Sequence, residues 1–167
     1  RVIEQAIAAR SAATVLRRLR RIDKDDLLAA MGIGLRKGVD EILAANGADV
    51  DRGRDAGMDE ALLDRLTLTP ERIEGMAVGL EGVAHLDDSV GEVVRGWHTP
   101  LGVKVEQVRV PIGVIGIIYE ARPNVTSDAA GICLKSGNAC LLRGSSSALE
   151  SNRAVIAAMR SRLPEEI

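Results

Sequence analysis

VRVPIGVIGIIYEARPNVTSDAAGICLKSGNACLLRGSSSALESN, residues 108–152, is the stretch that decides the architecture. Its apolar, β-branched run 114–119 lies between Pro111 and Gly113 on one side and Pro123 on the other, the pattern of a buried strand. A strand covered by helices on both faces has no polar alternation, as in parallel sheets. A helix is predicted next, with Thr126 as N-cap, Asp128 near the positive end of its dipole, and Gly137 and Asn138 as its stop. A second apolar run, 139–142, ends at Arg143-Gly144-Ser145-Ser146-Ser147, and another helix is predicted from about Ala148. Strand, helix, strand, polar loop and helix form a parallel α/β unit, and ligands in such folds bind beyond the carboxyl ends of the strands. Loops 120–126 and 143–147 are therefore the candidate site.

Upstream, apolar residues recur at helical spacing from Val2 to Leu19. A second helix is predicted from an Asp23 cap to Asn46-Gly47, then a connection over 48–57 and a short helix near 59–66. Thr69-Pro70-Glu71 marks a helix start, a capping hydroxyl followed by proline and an acid in the first turn. From Asp87 to Val110 the pattern turns to β, with VKVEQVRV alternating apolar and polar residues. Gly32-Ile33-Gly34 imitates the start of a dinucleotide fingerprint, but it sits in a helical stripe with no strand before it.

Residues of apolar type make up 46% of the 167, enough for a core, although there is no Phe and only Trp97 and Tyr119 are aromatic. A net charge of −2 argues against nucleic-acid and membrane partners, which require a basic excess. Two cysteines without neighbouring ligands give neither a disulfide framework nor a metal site, so no metal is expected. With no secretory pattern and no long uncharged apolar run, a cytoplasmic location is expected.

PIGVIGIIYEARPNVT (111–126) and CLKSGNACLLRGSSSA (133–148) closely resemble the γ-glutamyl phosphate reductases, a family within the aldehyde dehydrogenase superfamily, and DEALLDRLTLTPERIEGMAVGLEGVAHLDDSVGEV (59–93) extends the resemblance more weakly. The resemblance implies an α/β fold, part of an aldehyde-dehydrogenase-like, Rossmann-type cofactor domain. Residues 1–86 would be its N-terminal helical part, 87–110 a β excursion used for homo-oligomer contact with 104–110 as the pairing strand, and 111–167 the first β-α-β-α of the cofactor sheet. A half-exposed hairpin with no partner is the alternative for 87–110. The same resemblance implies NADPH-dependent reduction of L-glutamyl 5-phosphate to L-glutamate 5-semialdehyde in proline biosynthesis, with glutamate 5-kinase supplying the acyl phosphate. It also implies that the catalytic domain, with its nucleophilic Cys, lies beyond Ile167, so this chain alone would be inactive. Another aldehyde or acyl-CoA dehydrogenase, or a non-catalytic folding or binding unit, are the competing readings.

Within the loops, the resemblance makes Asn124 the amide donor to the reacting carbonyl oxygen, a role that needs a preorganised N–H at the developing charge. Read from its own residues, Asn124 equally suits a turn. Arg143, Gly144, Ser145 and Ser146 combine a guanidinium fork, hydroxyls and a helix start, which suits a phosphate. By resemblance they hold the adenosine ribose, and Ser146 where the superfamily often has an acid favours NADP(H) over NAD(H). Arg122 joins them as a cofactor-binding candidate at the pyrophosphate, with an anionic substrate or an exposed turn as its alternatives. Cys133 and Cys140, among apolar neighbours, are expected to be small buried hydrophobes and not nucleophiles.

Overall fold

A computed structural model describes residues 2–164. Five helices open it: α1 (Val2–Leu16), α2 (Arg21–Lys37), α3 (Val39–Asp55), α4 (Glu60–Leu66) and α5 (Pro70–His85). A hairpin of β1 (Val93–His98) and β2 (Lys104–Val108) follows, then β3 (Val114–Ile118), α6 (Asn124–Lys135), β4 (Ala139–Arg143), a single 3-10 turn at Ser146–Ala148, and α7 (Leu149–Arg160). The fold is mixed α/β with two small sheets, β1 antiparallel to β2 and β3 parallel to β4.

Local signals account for several boundaries. Thr69 Oγ1 accepts the Arg72 N–H and Pro70 occupies the first turn of α5, while Asp59 caps α4 by accepting from the N–H groups of Ala61 and Leu62. Gly137, at φ +72°, supplies the left-handed turn between α6 and β4 that a side chain would strain.

Other expectations need correction. The long second helix divides at Gly38, at φ −96° and ψ 17°, into α2 and α3, and glycine there makes room for α7, since a Cβ would lie 2.9 Å from Cβ of Ala158. Asp23 is not the cap of α2 but lies one turn in, where it accepts the Arg20 N–H at 3.0 Å. Asn46-Gly47 does not stop a helix, and 48–57 is not a connection, since α3 runs through to Asp55. The Asn46 amide is used in tertiary contacts: it donates to the Leu66 carbonyl at 2.8 Å and to Ser151 Oγ at 3.0 Å, and its oxygen accepts the Leu68 N–H at 2.7 Å. Thr126 is likewise inside α6, which begins at Asn124 after Pro123. β3 is not buried on both faces: with two strands in its sheet, Ile118 remains 86% exposed.

The core lies between helices. α2 packs against α5 on one side and α7 on the other, with Leu28, Leu35, Ile42, Ile73, Leu80 and Val155 fully enclosed. Each such side chain contributes roughly 1.5–3 kcal/mol by leaving water. Gly34 explains the Gly32-Ile33-Gly34 pattern, because a Cβ there would fall 2.2 Å from the Ala158 carbonyl oxygen. Glycine lets two backbones touch. Charged side chains also enter this layer in pairs: Lys24 Nζ donates to Asp88 at 2.7 Å and Lys135 Nζ to Asp25 at 2.5 Å.

Candidate active site

Parallel pairing carries both candidate loops to one edge. The register runs from Val114 opposite Ala139 to Ile118 opposite Arg143, and the Tyr119 N–H then donates to the Arg143 carbonyl at 3.1 Å. Side chains continue the link: Thr126 Oγ1 donates to Asn152 Oδ1 at 3.0 Å and meets the Tyr119 hydroxyl at 2.7 Å. Gly144 crosses this clasp so closely that a Cβ would lie 2.3 Å from Asn152 Nδ2 and 3.1 Å from the Tyr119 ring. Burial raises the Tyr119 pKa, its bond to Thr126 opposing, so the phenol remains a neutral hydrogen-bonding group.

Beyond the first loop lies an open cleft of about 560 Å³, bounded by α4, the α4–α5 junction, the first turns of α5 and the start of α6. Asn124 and Arg122 line it together with Arg65, Arg72, Asp64 and Asp128. Its far wall is held by Arg72, which donates to the Thr67 carbonyl at 2.7 Å and to Asp64 Oδ1 at 2.8 Å. Asn46 fastens the same wall from behind through Leu66 and Leu68. Asn124 Nδ2 reaches Asp128 Oδ2 at 3.4 Å, one helical turn on. The Asp128 carboxyl is pushed above its ordinary value by burial, and the Asn124 amide offsets part of that.

Arg143 and Ser146 are exposed at the other loop. Arg143 folds back to donate to the carbonyl of Gly144, and Ser145 Oγ accepts the Ser147 N–H at 3.3 Å. No acid occurs between Arg143 and Leu149, and Glu150 is paired with Arg153 at 3.0 Å. An exposed guanidinium beside hydroxyls, with no carboxylate in the loop, is chemically suited to an anion. Among the described residues lining the cleft, none comes from this second loop.

No family model matches the chain. Over all 167 residues it is 99% identical to gamma-glutamyl phosphate reductase of Cutibacterium acnes, covering 40% of that protein, and over 155 residues 54% identical to gamma-glutamyl phosphate reductase of Thermobifida fusca, covering 37%. The crystal structure of gamma-glutamyl phosphate reductase from Thermotoga maritima superposes with a TM-score of 0.93 at 45% identity, across 96% of this chain and 39% of that one. Over its length the chain matches one part of the gamma-glutamyl phosphate reductases. It spans about two-fifths of the length of the curated relatives it matches.

The structure brings Arg122 and Asn124 together at the cleft and leaves Arg143 to Ser146 at the neighbouring loop. Sequence reasoning missed Arg65 and Arg72, which reach the cleft from elements more than fifty residues before Asn124, and Asn46, whose Asn-Gly pair reads locally as a helix stop. A hint lay in the helical spacing, since Asp64 and Arg72 flank a cap and a proline that turn the chain back on itself. Cys133 is buried and Cys140 half-buried. Their thiols are hydrogen-bonded to each other, which lowers Cys133 against its burial and, with burial, holds Cys140 far above the ordinary thiol range. Held protonated, the Cys140 thiol is a poor nucleophile, and Cys133 is enclosed.

Proposed function

We propose that the protein carrying this chain reduces L-glutamyl 5-phosphate with NADPH to L-glutamate 5-semialdehyde, releasing phosphate, as a cytoplasmic enzyme of proline biosynthesis. Kinship with the gamma-glutamyl phosphate reductases carries this reading. The cleft adds chemical sense to it: an amide and unmatched positive charge suit a carbonyl and an anion. Asn124 donates to the acyl oxygen as negative charge grows there, worth on the order of 3 kcal/mol in the barrier. Arg143 and Ser146, with Gly144 and Ser145 shaping the turn, hold the ribose and its 2′-phosphate. When bound, the nicotinamide supplies the hydride. The thiol that attacks the acyl phosphate comes from outside these residues, since Cys140 is held protonated, Cys133 is buried, and neither lines the cleft.

The supporting architecture follows the same reading. Residues 111–164 act as the first part of a Rossmann-type cofactor sheet, and the exposed β1–β2 hairpin pairs protomers of a homo-oligomer. Glutamate 5-kinase supplies the unstable acyl phosphate. The deciding experiment couples glutamate, ATP and glutamate 5-kinase to the full-length protein and follows NADPH at 340 nm; the expected result is kinase-dependent NADPH consumption, and none would sink the assignment.

A further inference from the structure

Two opposite charges in the cleft are left over once its other ions are matched. Arg72 is joined to Asp64, and Arg65 faces Glu120 at 3.9 Å. Among the described residues, the guanidinium of Arg122 and the carboxylate of Asp128 have no ion-pair partner, although both line the cleft at the start of α6. Asp128 meets only the amide of Asn124. A cation and an anion held apart on one wall, with an amide between them in sequence, match a molecule bearing an anion and a cation at one end and a carbonyl at the other.

We propose that Arg122 and Asp128 recognise the α-carboxylate and the α-ammonium of the substrate, so that the cleft selects an amino-acid head while Asn124 addresses the carbonyl at the end of its side chain. This rests on the reductase reading above and assigns Arg122 to the substrate and not to the cofactor. A guanidinium presents a planar fork that fits a carboxylate. An ammonium returns to Asp128 the opposite charge that its surroundings lack: burial raises its pKa, and the Asn124 bond lowers it only in part. Arg122 has no side-chain hydrogen bond to give up on binding: only its backbone is engaged, the N–H donating to the Glu120 carbonyl at 2.8 Å and the carbonyl accepting the Val125 N–H at 3.0 Å.

The full-length reductase run toward oxidation separates the two charges. With inorganic phosphate and NADP+, the aldehyde is oxidised to the acyl phosphate and NADP+ is reduced. Three aldehydes serve as probes: L-glutamate 5-semialdehyde, 5-oxopentanoate without the ammonium, and 4-aminobutanal without the carboxylate. In Asp128→Asn, kcat/KM for the semialdehyde relative to 5-oxopentanoate falls about tenfold, the equivalent of losing about 1.4 kcal/mol. In Arg122→Met, the semialdehyde falls by a similar factor relative to 4-aminobutanal, and KM for NADP+ stays at the wild-type value in both. Arg122→Lys and Asp128→Glu keep the charges and recover part of each ratio, which a fold defect would not allow. Equal losses on all three aldehydes, or a rise confined to KM for NADP+, overturn the proposal. So does a wild-type enzyme that oxidises the semialdehyde no better than 5-oxopentanoate. A wild-type enzyme that oxidises none of them removes the reductase reading itself.

Discussion

The Tyr119 hydroxyl lies 2.7 Å from Thr126 Oγ1, which fastens the end of β3 to the first turn of α6. Because Thr126 also donates to Asn152, one buried hydroxyl joins the end of β3 and the first turns of α6 and α7. Thr126→Val keeps the shape and removes the hydroxyl, leaving Asn152 and Tyr119 each short of a partner. Buried polar groups so orphaned cost about 1–3 kcal/mol. A drop of several degrees in the melting temperature is expected, and an unchanged value would show that the clasp carries no stability.

Asn124→Ala in the full-length reductase should lower kcat about 100-fold or more, the scale for losing one oxyanion donor. Steady-state kinetics with kinase-generated substrate measure it, with KM for NADPH as control. A loss below about threefold would remove Asn124 from the chemistry.

Ser146→Glu places an acid where the loop has none. It should raise KM for NADPH about tenfold, equivalent to about 1.4 kcal/mol, by repelling the 2′-phosphate, while NADH use is kept or improved. If NADPH and NADH respond alike, this loop does not read the ribose.

Two glycines offer a matched test of packing. A methyl at Gly34 meets the Ala158 carbonyl at 2.2 Å, whereas one at Gly47 in α3 meets nothing within 4 Å. Gly34→Ala should therefore cost about 3 kcal/mol through overpacking. Gly47→Ala should gain roughly 0.5–1 kcal/mol by restricting the unfolded chain. Denaturant midpoints read both, and equal effects would contradict the close approach of α2 and α7.

Asp88 ties the approach to the hairpin to the fully buried Lys24. Desolvation raises its pKa, but the Lys24 ammonium and the Val90 N–H outweigh this and hold it below the ordinary carboxylate value. Its contribution is thus complete above the unfolded value, near pH 4, and is lost as pH falls through the lower folded value. Asp88→Asn should cost on the order of 3 kcal/mol near neutrality, because it strands a buried ammonium. Urea titrations from pH 2 to 7 should then show a flatter acid limb than wild type.

Local chemistry made much of this fold legible. Thr69 with Pro70, Asp59, Gly137 and the β-branched run at Val114 each act within a few residues, so their elements stand where the pattern puts them. Gly38 and Asn46 misled because their roles are tertiary: one makes room for Ala158, and the other ties α3 to Leu66, Leu68 and Ser151. The parallel pair and its shared edge followed from order alone, and so did the placing of both loops there. Nothing in the order of residues joins Arg65 or Arg72 to Arg122; that meeting depends on α5 packing against α6.

The β3–β4 sheet has one strand on each side of its single ladder, so among the described residues both outer rims carry backbone donors and acceptors that no neighbouring strand satisfies. With Ile118 standing in solvent on the same strand, each rim is a template for like polypeptide. Concentrating this segment by itself should drive it into intermolecular ribbons, so its behaviour in isolation will be set by how dilute it is kept as much as by how well its helices fold.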